Sequence, residues 1–304
     1  MDLDHVLRSI VTVHSTIPAD GFTAPILGTE RAGSGVVIRD DGLVLTIGYL
    51  ITEAENTWLA GPDGHLTPAH ALAYDQETGF GLVQALGRLD LPAIALGHSK
   101  EAKRGDPVIL AGGGDNPRFV RAQIVAKQEF AGYWEYMLEE AIFTAPAHPL
   151  WGGTGLIDAE GKLLGVGSLL VQQVTGNGAS QDLNMVVPID LLPPILDDLL
   201  NFGRINKPAR PWLGIYSVES EGKIVVANVA EPGPAAEAGL REGDIVSSIR
   251  DQEVGGLADF YRKLWSCGPA GTEIPIEIVR DSRSLWVRVK SADRGGFLKK
   301  PRVH

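Results

Sequence analysis

Short runs of alternating apolar and polar residues, separated by turn-forming residues, fill the first two thirds of the chain. The runs are SIVTVHS, GSGVVIRDDGLVLTI, ENTWLAGPDGHL, GLVQAL, DPVILAGGG, GKLLGVGSLLV and LNMVVPI. A period of two is typical of strands with one buried face, and Asp-Gly and Gly-rich stretches are typical of the turns between them. Regular strand spacing over about 180 residues predicts a β-barrel or sandwich, with two stacked barrels as one form of it.

The strand pattern ends near residue 188, where apolar positions change to helical spacing. These positions are Ile189, Leu192, Ile195, Leu196, Leu199 and Leu200, and Gly203 is placed as a C-cap. The segment NKPARP, 206–211, predicts an extended linker. Roughly 85 residues follow, with strand patterns around two helices, AAEAGL and LADFYRKLWS. They predict a small α+β unit of a size suited to a binding module.

Composition narrows the classes of function. The chain has 304 residues, a net charge of -11 and 44% hydrophobic residues, which predicts globular protein and argues against a nucleic-acid partner. Cys267 is the sole cysteine, so an internal disulfide is excluded, and no ligand spacing predicts a metal or another cofactor. Residues 294–304 form a basic tail.

Hydropathy and the first residues bear on location. No apolar stretch approaches the length of a membrane span, so none is predicted. The first residues do not read as a secretory signal. They predict a cytoplasmic protein, or a periplasmic one if a leader has been removed.

The second unit carries the motifs of a known module. The stretch from RPWLGI through PGPAAEAGLREGDIV and LADFYRKLW to GTEIPIEIVRD resembles a PDZ domain of the bacterial HtrA type. The stretches GSGVVIRDDGLVLT, DLPAIALGHSKEAKRGDPVILAGGG and GTGLIDAEGKLLGV resemble the trypsin-like protease domain of the same family. The resemblance implies a mainly β fold: a trypsin-like double six-stranded β-barrel followed by a small α+β PDZ domain. The expected domains are 1–205, a linker 206–211, the PDZ domain 212–293 and the tail 294–304.

The three catalytic positions of the family carry other residues here. The resemblance aligns the catalytic histidine with Tyr49, the aspartate with Gly79 and the serine with Gly152, whereas Asp75 aligns with a different acidic position. The loop that forms the family's oxyanion hole would be Leu150, Trp151 and Gly152. Because acyl transfer needs a hydroxyl, an imidazole and a carboxylate, these replacements predict a pseudoprotease.

The alternative is a working serine-type endopeptidase that uses displaced residues, as in HtrA-like protein quality control. Thr154 would supply the hydroxyl, or else it simply begins the strand TGLID. No histidine lies between Ser15 and His65, where the base is expected. His148 is near the loop in sequence, where a hydrogen-bonded turn histidine is the simpler interpretation.

The PDZ resemblance also implies a peptide site. Backbone N–H groups of the loop Trp212, Leu213, Gly214 and Ile215 would hold the C-terminal carboxylate of an added strand. Leu257, Tyr261 and Leu264, on one face of the helix, would form the other wall and favour apolar peptides. The expected partners are therefore C-terminal or extended apolar peptides of other proteins. Because members of this family assemble as trimers, the resemblance further implies a homotrimer or a mixed oligomer with an active relative.

Overall fold

A computed structural model describes residues 2–114, 118–174, 178 and 180–300. The described chain forms two compact units. The first contains Met1–Gln128, Glu140–Asn206 and Leu298–His304, and the second contains Glu129–Glu139 and Lys207–Phe297. Of the predicted basic tail, residues 301–304 lie outside the described part.

Two closed six-stranded antiparallel barrels make up the first unit, as the double-barrel prediction stated. The first barrel has the strand order β1-β2-β3-β6-β5-β4. Its strands are β1 (Ile10–Thr16), β2 (Glu30–Val37), β3 (Leu43–Ile47), β4 (Asn56–Ala60), β5 (Leu66–Tyr74) and β6 (Phe80–Ala85). In β3 every residue is buried, and Leu45 lies opposite Leu82 of β6. A barrel interior on one face and packed chain on the other explain why this run is apolar throughout.

The second barrel has the order β10-β11-β12-β9-β8-β7. Its strands are β7 (Pro107–Ala111), β8 (Phe119–Gly132), β9 (Tyr136–Ala145), β10 (Gly155–Ile157), β11 (Leu163–Val174) and β12 (Ser180–Pro188). Leu110, Ile142, Leu156 and Val186 are fully buried in its core. The sequence pattern missed β5, β8 and β9, because their exposed and buried positions do not alternate cleanly.

Short helices accompany the barrels. They are α1 (Leu3–Arg8), α2 (Ala24–Leu27) and α3 (Pro193–Phe202), with 3-10 turns at Gly48–Leu50 and Ile189–Leu191. The predicted helix near the end of the domain is α3, and Gly203 closes it in the left-handed conformation at φ 67°. Every helix among the described residues is too short or too polar to span a bilayer.

The second unit is a six-stranded antiparallel sheet with two helices, which agrees with the predicted α+β module. Its strands are β13 (Ile215–Ser220), β14 (Lys223–Val229), β15 (Ile245–Ile249), β16 (Gln252–Glu253), β17 (Glu273–Arg280) and β18 (Arg283–Lys290). Its helices are α4 (Pro234–Glu237) and α5 (Leu257–Ser266), followed by a 3-10 turn at Arg294–Gly296. Phe260, Leu264, Ile276 and Val289 are fully buried in the core of this unit.

Two stretches group differently from the expected domain limits. Residues 129–139, expected within the trypsin-like domain, form a hairpin tip that belongs to the second unit. Met137 from this tip is part of the second unit's apolar cluster. Residues 294–297, expected in the tail, also belong there, and the Phe297 ring lies 5.0 Å from that of Trp212.

Candidate functional site

Tyr49 and Gly152, two of the predicted catalytic positions, lie side by side in the first unit. Tyr49 sits on the 3-10 turn after β3, and its hydroxyl donates a hydrogen bond to the Ser168 carbonyl at 2.8 Å. A Cβ added at Gly152 would lie 2.7 Å from the Tyr49 hydroxyl oxygen. Burial raises the pKa of the Tyr49 phenol above its usual range. The phenol is therefore neutral at physiological pH and fills the space that a side chain at position 152 would enter.

The turn at Gly152 and Gly153 is fixed against its neighbours. The Gly152 carbonyl accepts a hydrogen bond from the Ser34 N–H at 2.7 Å, and the Gly153 N–H donates to the Gly167 carbonyl at 2.8 Å. Gly153 has φ 80°, and a Cβ there would lie 1.9 Å from the Ser34 carbonyl oxygen. Only glycine fits this position without moving β2.

In the predicted oxyanion loop, the N–H group of Leu150 is hydrogen-bonded within the protein. The Leu150 N–H donates to Nδ1 of His148 at 3.1 Å. His148 is fully buried, and Asn184 bonds both its N–H and its carbonyl. An amide committed to a buried ring is not directed at a substrate oxygen at the same time. The Trp151 side chain is 36% exposed, so it lies at the surface of the loop.

Thr154, the displaced nucleophile of the alternative hypothesis, is fully buried. Its hydroxyl donates to the Trp151 carbonyl at 3.0 Å. A Cβ added at Gly112 would lie 3.1 Å from Nε2 of His148 and 3.3 Å from the Thr154 methyl group. The methyl group of Thr154 therefore faces the side on which the histidine lies, while its hydroxyl closes the local turn.

Gly79, the third predicted position, adjoins the segment that carries Tyr49. Its carbonyl accepts a hydrogen bond from the Gly48 N–H at 2.7 Å, and its φ is 84°. The nearby Asp75 carboxylate accepts from the backbone N–H and the hydroxyl of Thr78, at 2.8 Å and 2.7 Å. This carboxylate stabilises its own turn.

In the second unit, the loop predicted to bind peptide termini binds the side-chain carboxylate of Glu135. Oε1 of Glu135 accepts hydrogen bonds from the N–H groups of Gly214 at 2.7 Å and Ile215 at 3.1 Å. Oε2 accepts from the Leu213 N–H at 3.0 Å. Gly214 has φ 80°, which directs successive N–H groups to one point. We call these three N–H groups, from residues 213–215, the cradle.

The backbone of residues 132–135 also forms hydrogen bonds with β13 and α5, the two walls of the predicted peptide groove. The Ser217 N–H, on β13, donates to the Tyr133 carbonyl at 2.8 Å. The Tyr261 hydroxyl, on α5, donates to the Gly132 carbonyl at 2.7 Å and accepts from the Glu135 N–H at 3.2 Å. Residues 129–139 thus lie between the strand and the helix, where the sequence predicted a peptide; we call them the tip.

The helix residues predicted to line the groove are buried. Leu257 is 9% exposed, and Tyr261 and Leu264 are fully buried. Phe260 is also fully buried, in the core of the second unit. The structure therefore brings the predicted loop and helix residues together around the tip. The Trp212 ring packs on the side of Phe297 instead.

The electrostatic setting of Glu135 is unusual for a carboxylate. Burial raises the pKa of Glu135 to about 7, although the N–H groups of the cradle and the positive charge of Arg294 act in the opposite direction. The guanidinium of Arg262 pairs with Glu139 and Glu129 at the exposed edge of the tip. The site therefore combines one desolvated carboxylate with weakly held surface pairs.

Sequence reasoning did not find the tip residues Tyr133 and Glu135, or Ser217. The local stretch YWEYM is an apolar run with one acidic residue, and nothing in it indicates a partner 79 residues away at Gly214. A lone glutamate among aromatic residues was the one available signal, because an isolated charge in such a run needs a partner when it is buried.

Comparison with known proteins follows the two units. The trypsin-like peptidase domain family matches residues 33–166, and the PDZ domain family matches residues 211–290. A DegP-like periplasmic serine endoprotease of Pseudomonas fluorescens is 25% identical over 271 residues, which are 84% of this chain and 54% of that protein. The serine endoprotease DegS of Haemophilus influenzae is 27% identical over 86% of this chain and 77% of its own length. This chain thus spans about half the length of its DegP-like relatives.

Solved structures agree on the fold. The HtrA-type protease AlgW with a decapeptide superposes with a TM-score of 0.56 at 23% identity, covering 99% of this chain and 98% of that one. The serine endoprotease from Yersinia pestis gives 0.55 at 22% identity, covering 96% and 98%. Along both units the chain is thus similar to the HtrA-type serine proteases, and its fold is a trypsin-like double barrel followed by a PDZ domain.

Proposed function

We propose that this chain is a catalytically inactive HtrA-like protein that binds peptides or other proteins through its PDZ domain and keeps the trypsin-like barrels as a scaffold. The observation that carries the first half is the 2.7 Å approach between the Tyr49 hydroxyl oxygen and a Cβ at Gly152. A phenol stands where a nucleophile side chain would begin, and it is bonded to Ser168.

The chemistry of the remaining groups supports inactivity. Acyl transfer needs a hydroxyl whose proton passes to an imidazole held by a carboxylate. At the three aligned positions the groups are a neutral phenol and two glycines. The Thr154 hydroxyl is buried and donates its proton to the Trp151 carbonyl oxygen, which is too weak a base to remove it. Loss of the nucleophile or base lowers the rate of such enzymes on the order of 10⁶-fold.

The groove in the PDZ domain supports the binding half. The cradle offers three converging N–H groups, and the edge of β13 offers backbone groups for an added strand. Apolar side chains on α5 favour apolar residues in the ligand. AlgW has been solved with a decapeptide and with a tripeptide, which agrees with peptide binding on this fold.

The competing proposal is an active endopeptidase, which the names of the relatives favour because they are serine endoproteases. The same names favour the periplasm over the cytoplasm as the location of this chain. We also propose that the chain assembles as a trimer of its own or joins an active relative, which light scattering and co-purification would distinguish.

Hydrolysis of casein by the purified chain tests the inactive assignment. We expect no cleavage by the native chain or by Thr154→Ala, and the buried Thr144→Ala serves as matched control. Cleavage that disappears in Thr154→Ala and persists in Thr144→Ala would establish the endopeptidase instead. Casein hydrolysis by a Tyr49→His, Gly79→Asp, Gly152→Ser variant tests whether the barrels support proteolysis when the three positions carry histidine, aspartate and serine.

A further inference from the structure

The tip makes three kinds of contact that a bound peptide would make in this groove. Its Glu135 carboxylate takes the three N–H groups of the cradle. Its Tyr133 carbonyl accepts from Ser217 on β13, as a carbonyl of an added strand does. Its Met137 side chain joins the apolar cluster that contains Leu213 and Leu264.

We propose that residues 129–139 are a built-in ligand of the PDZ domain, in which the Glu135 side chain replaces a peptide's terminal carboxylate, so that a partner's free C-terminus binds only by displacing them. The second clause rests on the proposed peptide-binding function, whereas the first does not. The ligand class is a peptide with a free terminal carboxylate, because the cradle contains donors only.

Backbone geometry supports a specific role for position 135. Glu135 has φ 56°, an uncommon conformation for glutamate, and is only 5% exposed. Its neighbours Tyr133 and Trp134 pack edge to face, with ring centroids 5.0 Å apart. Glutamate at a positive φ has no preference for this turn, so the three hydrogen bonds of the cradle account for its placement.

The strength of attachment suits a ligand that can be displaced. Outside the groove, the tip is held by ion pairs of Arg262 with Glu129 and Glu139, and these side chains are 40% and 72% exposed. Exposed pairs of this kind contribute little to stability. Inside the groove, the cost of burying the Glu135 carboxylate offsets part of the gain from its hydrogen bonds. An incoming carboxylate therefore competes with a weakly favoured occupant.

Amide hydrogen exchange tests the built-in ligand without any peptide. In the full chain, Glu135→Ala is expected to speed exchange at Leu213, Gly214 and Ile215 by at least about tenfold, while β17 and β18 stay protected. Glu221→Ala is the matched control, since Glu221 is also at positive φ, at 51°, but is exposed. Sodium acetate should restore protection in Glu135→Ala, and sodium chloride at equal ionic strength should not. Unchanged exchange in Glu135→Ala would overturn the proposal.

Peptide binding then tests displacement. The probes are fluorescein-labelled decapeptides ending in Val, Leu or Phe, each with an amidated twin. We expect Glu135→Ala to bind the free-acid peptides at least about tenfold more tightly than the native chain or Glu221→Ala does. The amidated peptides should not bind to any of the three proteins. Glu135→Gln, which keeps the side-chain volume, replaces Glu135→Ala if that variant does not fold.

The two experiments separate two kinds of failure. An exchange response without binding of any peptide would uphold the built-in ligand and reject the apolar-peptide function. Equal binding by native and Glu135→Ala chains, with unchanged exchange, would uphold peptide binding and reject the built-in ligand.

Discussion

At the residue scale, the phenol of Tyr49 occupies the space that a Cβ at position 152 would need. Gly152→Ser places a Cβ 2.7 Å from the Tyr49 hydroxyl oxygen and forces it away from the Ser168 carbonyl. We expect this substitution alone to lower the free energy of unfolding by about 2 kcal/mol, through overpacking and a lost hydrogen bond. Urea denaturation measures it.

The pair should behave as a coupled unit. Tyr49→His shortens the side chain, so Gly152→Ser should cost at least about 1 kcal/mol less in that background than in the native chain. Gly87→Ser is the control, because a Cβ at this exposed glycine meets one atom at an ordinary 3.4 Å. Equal costs of Gly152→Ser in both backgrounds would show that the phenol does not restrict position 152.

The carboxyl group of Glu135 predicts a dependence on pH. Its pKa of about 7 exceeds the usual value because of burial, so the folded state binds its proton more tightly than the unfolded state does. Its stabilising contribution is therefore complete below about pH 4 and is lost as the pH rises to about 7. The groups that face it are Arg294, which lowers its pKa, and the phenols of Tyr216 and Tyr261.

Comparison with Glu135→Gln isolates this group. The difference in unfolding free energy, native minus variant, should fall by roughly 3 kcal/mol between about pH 4 and pH 7 and stay flat above. Chemical denaturation at each pH measures the difference. A difference that rises with pH would mean that the hydrogen bonds of the cradle outweigh burial and hold the pKa of Glu135 below its usual value. Because the ionised Glu135 side chain is held less firmly, we expect a competing peptide to bind to the cradle more readily at pH 8 than at pH 5.

At the element scale, β15 and β17 of the PDZ domain are joined by a buried ion pair. Asp244 precedes β15 with a side chain only 1% exposed, and Nε of Arg280 lies 2.6 Å from its Oδ1. Burial alone would raise the pKa of Asp244, but hydrogen bonds from Arg280 and the Arg241 N–H hold it below its usual value. This contribution to stability is present above about pH 4 and is lost as the pH falls through the lowered pKa.

Arg280→Met leaves the Asp244 carboxylate buried without its partner. We expect a loss of about 3 kcal/mol in the stability of the second unit. Arg288→Met removes an exposed pair with Glu273, whose side chains are 76% and 58% exposed, and should cost less than about 1 kcal/mol. Thermal unfolding followed by circular dichroism compares the two. Similar losses in both variants would contradict the role assigned to burial.

Elements with a local signal were predictable. Helix α3 ends at Gly203 and α5 spans Leu257–Ser266, the stretch that its periodicity indicated, because capping and amphipathic spacing are encoded within a few residues. The long strands β8 and β9 were not predictable in this way, since one end of each belongs to the barrel and the other to the second unit. Two environments along one strand remove the alternation on which the pattern depends.

At the scale of the whole molecule, the double barrel and the PDZ domain followed from motifs that lie along contiguous sequence. The candidate site could be predicted from the sequence only in part. The positions of Tyr49, Gly79 and Gly152 could be identified by resemblance, but the approach of the Tyr49 hydroxyl to Gly152 depends on chain segments about a hundred residues apart. The hydrogen bond between the Glu135 carboxylate and the Gly214 N–H has no signature in the local sequence, because the two residues meet only in the folded chain.

The second unit is assembled from two separate stretches of the chain, and this affects how its ligands should be sought. A PDZ fragment cut at residues 211–290, where the family match ends, omits residues 129–139. Its cradle would be open to any carboxylate in the assay, buffer anions included. A library screened against that fragment would report binders that the intact protein keeps out, so hits from the isolated domain need to be ranked again on the full chain before any is taken as a physiological partner.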